Sequence, residues 1–227
     1  NIFISGATST GKTTFLNVLA DYIPKTERVI TIEDSAELQI HGIENLVRME
    51  VRQADGDGVS NVTLRDLIRT SLRMRPDRII VGEVRGEEAL DMIQSMNTGH
   101  DGSLSTGHAN SPQDMLSRLE TMALFASDIP IQAIRKQIAS SIDIIVQLER
   151  LRDRSRRVTA IAEVLDCTED AYILNPIFEF HEQDNLVMEI SSYGDIPERV
   201  VGQLERTGYH LMHRRKLHAA ALESAEI

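Results

Sequence analysis

Tryptophan is absent, cysteine occurs once, and aromatic residues make up only 4% of the 227 residues. A single thiol, Cys167, cannot close an internal disulfide, which excludes a disulfide-stapled secreted scaffold and fits a reducing cytoplasm. Its expected role is that of a small residue near a strand end rather than a nucleophile. No apolar run approaches the ~20 residues that a membrane-spanning helix needs, and no signal-peptide pattern is present. Positive charge is in deficit, with 24 Lys and Arg against 35 Asp and Glu, a net charge of −11. Proteins that track nucleic acid gather positive charge for its phosphates, so this balance argues against that class while leaving room for a local basic patch. Internal repeats and low-complexity linkers are missing too.

What is present is the patterning of an α/β chain. A hydrophobic content of 41% is enough for a substantial core, and the length suits one large domain, or one with a small appendage. Phe15, Leu16, Leu19, Ala20 and Ile23 follow helical spacing up to Pro24. Arg28–Glu33 is a β-branched strand, and Leu46–Arg52 alternates like another. Leu64, Leu67, Ile68 and Leu72 stripe a helix that ends near Pro76. Arg78–Glu83 is a continuous apolar strand of the kind buried on both faces of a central sheet. Helical stripes follow at Ala89–Met96, Leu116–Ala123 and Ile131–Ile142. From Ile144 the character shifts to strands: 144–148, then 158–164 and 172–180 flanking a charged turn and a tight connection, with 187–191 as a further candidate. A final helix is expected from Pro197 to about Gly208, carrying Val200, Val201 and Leu204, with a marginally helical tail from His210.

The chemistry begins at Gly6-Ala7-Thr8-Ser9-Thr10-Gly11-Lys12-Thr13, which satisfies G-x-x-x-x-G-K-[ST] between an apolar strand and an amphipathic helix. Glycines let backbone N–H groups curl around phosphate oxygens, and the helix directs its positive end at them. All eight residues, Ala7, Thr8, Ser9 and Thr10 between the glycines included, are therefore expected to contact the phosphates. Lys12 would reach the β- and γ-phosphates, and Thr13 would offer its hydroxyl to Mg²⁺, with Thr14 continuing the binding turn. A chance glycine-rich turn is the bland alternative, and the strand–loop–helix order disfavours it. The position at residue 6 predicts a chain cut just before its nucleotide-binding domain.

Hydrolysis needs carboxylates for Mg²⁺ and for the attacking water. Glu33-Asp34, with Glu37 behind, and Glu83 each sit where a strand ends. The common pattern closes the second of these strands with Asp then Glu, whereas here Gly82 occupies the Asp position. Glu83 is therefore expected to polarise the water or hold Mg²⁺ through one, with Glu33 as alternative. Surface charge or helix capping is the plainer reading for Asp34 and Glu37.

Thr98–Ser111 (TGHDGSLSTGHANS) holds two histidines eight residues apart, three glycines and five hydroxyl residues. Zinc held by His100, Asp101 and His108 is one reading, weakened by the lack of a cysteine partner or a tight ligand pair. A γ-phosphate sensor is the other, with His108 at the end of a strand beside the one carrying Glu83. A surface-turn histidine suits His100 better than His108.

Taken as an ordered set, Gly6–Thr13, Thr31-Ile32-Glu33-Asp34, Arg73–Arg85 and Thr98–Ser111 resemble the secretion ATPase superfamily of type II and type IV secretion and type IV pili. There they correspond to the Walker A, Asp box, atypical Walker B and His box. Detail in Arg73–Gly86, Gly99–Ser103 and Ser117-Arg118-Leu119-Glu120 is most similar to the CpaF/TadA branch of tight-adherence (Flp-type) pili. The match covers most of residues 1–150. It implies a RecA-like P-loop NTPase sandwich over 1–150, with 151–227 as a C-terminal strand-and-helix appendage, and a usual N-terminal domain that this chain would lack. It also implies a Mg²⁺-dependent ATPase that works as a homo-hexamer on an inner-membrane platform protein, cytoplasmic and peripheral to that membrane. In such proteins arginines help neutralise the phosphates; Arg48, Arg52, Arg65, Arg73, Arg75 and Arg85 are the candidates, Arg48 and Arg52 the favoured ones. For Arg85 a role in trans and a structural ion pair stand equal. A RecA-like nucleic-acid translocase and a nucleotide-gated scaffold with little turnover are the competing readings.

Overall fold

The computed structural model describes residues 1–54, 60–183 and 199–214. β1 (Ile2–Gly6) leads through the phosphate loop into α1 (Lys12–Ala20), followed by β2 (Arg28–Glu33) and β3 (Asn45–Glu50). α2 (Leu64–Ser71) then precedes β4 (Arg78–Val81), α3 (Glu88–Asn97) and β5 (Leu104–Gly107). α4 (Pro112–Ala126) and α5 (Ile131–Ser141) lead to four further strands, β6 (Ile144–Arg150), β7 (Arg156–Cys167), β8 (Tyr172–Glu182) and β9 (Gly202–Arg206). Among the described residues these nine strands form one sheet in the order β3-β2-β4-β5-β1-β6-β7-β8-β9. The first six in that order run parallel, and β7 to β9 continue antiparallel.

The central strands are apolar on both faces because both are covered. Phe3, Ile30, Ile32, Ile79 and Val81 pack under α2 to α5, whose stripe residues Ile68, Ile93, Leu116, Leu119 and Ile138 are fully buried. Ile4, Val29, Ile80 and Val146 face α1 and the 38–40 segment on the other side. Burying one such side chain stabilises the fold by roughly 1.5–3 kcal/mol. Local signals set the helix starts. Thr63 and Asp66 form a reciprocal capping box on α2, and Ser111 caps α4 just ahead of Pro112.

The α/β sandwich agrees with expectation; its carboxy-terminal part differs. Leu204 lies in a strand, not in the expected helix, and Val200 and Val201 precede it as irregular chain. Gly202 is the reason: a Cβ there would stand 2.5 Å from the His181 carbonyl, so the segment can pair closely along β8. Edge pairing overrides the helical spacing of three apolar residues. The expected strand at 187–191 and the tail beyond residue 214 lie outside the described residues.

Candidate functional site

In an open parallel sheet, ligands bind beyond the carboxyl ends of the strands. Four neighbouring strands deliver the expected chemistry to that edge: β1 the phosphate loop, β2 Glu33, β4 Glu83 and β5 His108. The parallel register Val81↔Ser105, carried two residues on, sets Glu83 opposite Gly107, so Glu83 and His108 emerge side by side.

The phosphate loop is held in an uncommon backbone shape, with Ser9 at φ 63° and Gly11 at φ 95°. Only glycine adopts the latter without strain. No side chain caps α1, which leaves its amino end available to an anion. The Thr10 side chain turns inward, away from the cleft. It is buried, and its hydroxyl donates to the Ala7 carbonyl at 2.9 Å, closing the loop on itself. A Cβ on Gly6 would stand 2.6 Å from that hydroxyl, so Thr10 packs against the loop's own first glycine. Its side chain is a brace that fixes the loop's curvature. Ala7 and Thr8, by contrast, line the open cleft beside the loop.

Lys12 is buried and curls back, donating to the Gly6 and Ala7 carbonyls at 3.0 Å each and approaching His108 Nδ1 at 3.3 Å. Its pKa is lowered, first by burial and then by Arg85, against the attraction of Glu83.

His108 Nε2 contacts Glu83 Oε1, and Arg85 donates to Glu83 Oε2 at 2.5 Å. Burial, followed by repulsion from Lys12, Arg85 and Arg118, outweighs the attraction of Glu83 and lowers the His108 pKa below 6.5. A neutral ring that carries its proton on Nε2 has its Nδ1 lone pair free to accept from Lys12. The tautomer follows from these partners. Lys12, His108, Glu83 and Arg85 thus stand in one row: hydrogen bonds join Lys12 to His108 and Arg85 to Glu83, and a close contact without hydrogen-bond geometry lies between His108 Nε2 and Glu83 Oε1.

Glu33 plays a different part. Its Oε1 accepts from the backbone N–H of Glu37 at 2.9 Å and of Leu38 at 2.8 Å, and the residue is buried. A Cβ at position 82 would come within 3.0 Å of Glu33 Cγ. Gly82 therefore makes room for the Glu33 side chain at the place where the common pattern carries Asp. Thr13 donates to Glu37 at 3.3 Å, and Thr13, Glu33, Asp34, Glu37 and Glu83 line one cleft of about 240 Å³. Hydroxyl and carboxylate oxygens are hard donors, and Mg²⁺ takes few protein ligands, filling its sphere with water and phosphate oxygens. That donor set fits Mg²⁺. No group of three or more His, Cys, Asp or Glu residues is placed to hold a metal among the described residues, so His100, Asp101 and His108 form no zinc site. His100 and His108 lie before and after β5, and His100 Nδ1 faces the Ser95 carbonyl at 3.1 Å instead.

A larger cleft of about 680 Å³ adjoins the loop, lined by Ala7, Thr8, Arg85 and His108 together with α4 residues Asp114, Ser117, Arg118 and Thr121. Of the six candidate arginines only Arg85 reaches these clefts. Arg48 donates to the Ile40 carbonyl and Arg52 to that of Ser60, while Arg65 binds Asp91 and Glu87. Arg118 lines the cleft although no motif singles it out as a site residue. Its signal lies in the polar spacing 114, 117, 118, 121, which marks one face of α4 opposite the Met115–Leu119 stripe.

Residues 1–192 match the family described as Type II/IV secretion system protein. Among similar proteins, the type IV secretion system protein PtlH of Bordetella pertussis is 37% identical over 159 residues, covering 69% of this chain and 47% of that protein. A putative conjugal transfer protein of Mycobacterium tuberculosis is 38% identical over 70% of the chain and 45% of its own length. The chain thus spans about half the length of these relatives. The crystal structure of the VirB11 ATPase of Brucella suis, complexed with sulphate, superposes with a TM-score of 0.64 at 32% identity, covering 71% of this chain and 49% of that one. Among the described residues no helix is long and apolar enough to cross a membrane.

Proposed function

The chain belongs to the type II/IV secretion system protein family, and from that premise we propose that it is the ATP-hydrolysing motor domain of a pilus or secretion assembly. The observation that carries this reading is the contact of Glu83 with His108, which in turn meets the phosphate-loop lysine. A water-activating carboxylate and a phosphate-binding ammonium share one histidine, so occupancy of the phosphate site is felt at the carboxylate.

In the reaction, a water oxygen attacks the γ-phosphorus, the bond to the β–γ bridging oxygen breaks, and ADP leaves with that electron pair. Glu83 accepts the water proton, and Lys12 turns from the loop carbonyls toward the β- and γ-phosphate oxygens. Glu83 first gives up one of its two partners, and the Arg85 guanidinium, two residues away, is then free to meet phosphate charge. His108 reports the change, since an anion near Lys12 favours its protonated form. Thr13, Glu33 and Glu83 would hold Mg²⁺, which would neutralise phosphate charge there.

The wider assignment rests on the boxes quoted above: a homo-hexamer in which a neighbour completes each site, coupled to an inner-membrane platform protein at the cytoplasmic face. The detail at Arg73–Gly86 and Gly99–Ser103 favours the tight-adherence pilus branch, and the net charge of −11 favours a protein cargo over nucleic acid. The deciding experiment measures ATP turnover against protein concentration for this chain. Specific activity rising steeply with concentration is expected. Activity absent at every concentration, with ATP bound normally, would leave only a nucleotide-gated scaffold.

A further inference from the structure

Five arginines fall within residues 150–157, against one aspartate, in a chain whose net charge is −11. They decorate the tight hairpin between β6 and β7, closed by the Leu151 N–H on the Ser155 carbonyl and the Arg154 N–H on the Leu151 carbonyl, both 2.8 Å. Arg152 is engaged with Glu182, and Arg157 stands in register with Glu149. Arg150 and Arg156 are different. They oppose each other directly across the two strands, and among the described residues neither guanidinium has a hydrogen-bond or ion-pair partner. Like charges directly opposite on a strand pair are destabilising, so an arrangement of this kind is understandable if an anion sits with them.

The place where an anion would sit is given by Gly11. Arg156 Cδ is 3.6 Å from where a Cβ on that residue would stand, so the arginine stem passes over the phosphate loop and its exposed guanidinium is two bonds further out. The strand order puts β1 and its loop between two groups of residues: His108 and Glu83 arrive from β5 and β4, Arg156 from β7 on the opposite side. A nucleotide whose γ-phosphate lies at Glu83 therefore extends its α-phosphate and nucleoside toward β6 and β7. We propose that Arg156, with Arg150 beside it, binds the α-phosphate end of the nucleotide. This rests on the ATPase reading and completes the site from the strand pair beyond residue 150. A planar guanidinium suits the task because it can bind two non-bridging phosphate oxygens at once.

The test is calorimetric titration of the whole chain with Mg·ADP and with the two α-thio diastereomers of ADP, for the unsubstituted protein and for Arg156→Ala, Arg156→Lys, Arg150→Ala and Arg152→Ala. Arg156→Ala should weaken ADP by about 10–100-fold, the range for a lost charge-assisted contact. Its preference between the diastereomers should shrink. Arg156→Lys should recover part of the affinity, Arg150→Ala should lose several-fold, and Arg152→Ala should match the unsubstituted protein. Arg156 is exposed, and equal melting temperatures would show the variants folded; if Arg156→Ala melts early, Arg156→Lys with the thio pair carries the test. ADP affinity unchanged in Arg156→Ala, with the unsubstituted protein binding ADP well, overturns this inference and leaves the ATPase reading standing. Unchanged ADP affinity joined to lost binding of anionic vesicles or single-stranded DNA overturns it in favour of a macromolecular partner. An unsubstituted chain that binds neither ADP nor ATP overturns both.

Discussion

Glu83 divides its carboxylate between two partners, Arg85 on Oε2 at 2.5 Å and His108 on Oε1. One residue thereby joins the arginine of its own loop to the histidine of the next strand, and through that histidine to Lys12. The exchange of these partners is the central step of the proposed mechanism.

Replacing Glu83 by Gln keeps the shape and removes the proton acceptor. Turnover should fall by about 10²–10⁴-fold, the usual worth of a general base, while ATP affinity stays within about tenfold. Single-turnover hydrolysis beside equilibrium ATP binding checks this, and normal hydrolysis would remove Glu83 from the role.

Gly82→Ala puts a methyl group 3.0 Å from Glu33 Cγ. The carboxylate must shift off the Glu37 and Leu38 N–H groups, at a cost of about 1–3 kcal/mol for an overpacked site. We expect a lower Tm and a higher Mg²⁺ requirement for turnover. Identical unfolding curves and Mg²⁺ titrations would contradict the close-approach account of this glycine.

His108 titrates below 6.5 because burial and three nearby cations disfavour its charged form. Between that lowered value and 6.5 the unfolded chain binds more protons than the folded one, so stability should decline as pH falls through this window. His108→Asn should flatten that part of the curve. Urea midpoints measured from about pH 8 to pH 5 test the slope, and NMR titration of the imidazole tests the pKa itself. A value at or above 6.5 would refute the neutral-ring arrangement.

The buried Glu163 on β7 accepts from Asn175 Nδ2 at 2.9 Å and from the backbone N–H groups of Met212 and His213 at 2.9 and 2.7 Å. Glu163→Leu strands two N–H groups, each costing about 1–3 kcal/mol if left buried without a partner. Hydrogen exchange at residues 210–214 should accelerate, with a lower urea midpoint. Unchanged protection there would show that other contacts hold the segment.

The nucleotide chemistry is legible in the sequence because it is written in contiguous runs. Gly6–Thr13 carries its own strand and helix context, and 79–83 can only be a strand buried on both faces. Within that loop, though, a motif cannot tell that the Thr10 hydroxyl turns inward to the Ala7 carbonyl. Residues that reach the site from separate elements leave weaker traces. Arg118 belongs to a polar helix face that resembles any solvated surface, and Arg156 sits in a charged hairpin whose distance from Gly11 depends on two strand pairings. β9 escapes the periodicity for a related reason: apolar residues at positions 200, 201 and 204 fit a helix, and only the free edge of β8 draws Gly202–Arg206 into the sheet instead.

By itself, then, the amino-acid order determined which groups stand at the strand ends: a phosphate loop, two glutamates and a histidine. Local backbone preference and hydrophobic pattern act over a few residues, and these motifs are that short. Tertiary structure alone decided their pairing. The register of β4 on β5 set Glu83 against His108, and the order of β1 between β5 and β6 set Arg156 on the far side of the loop. Such distances come from strand register and order, which are properties of the whole sheet.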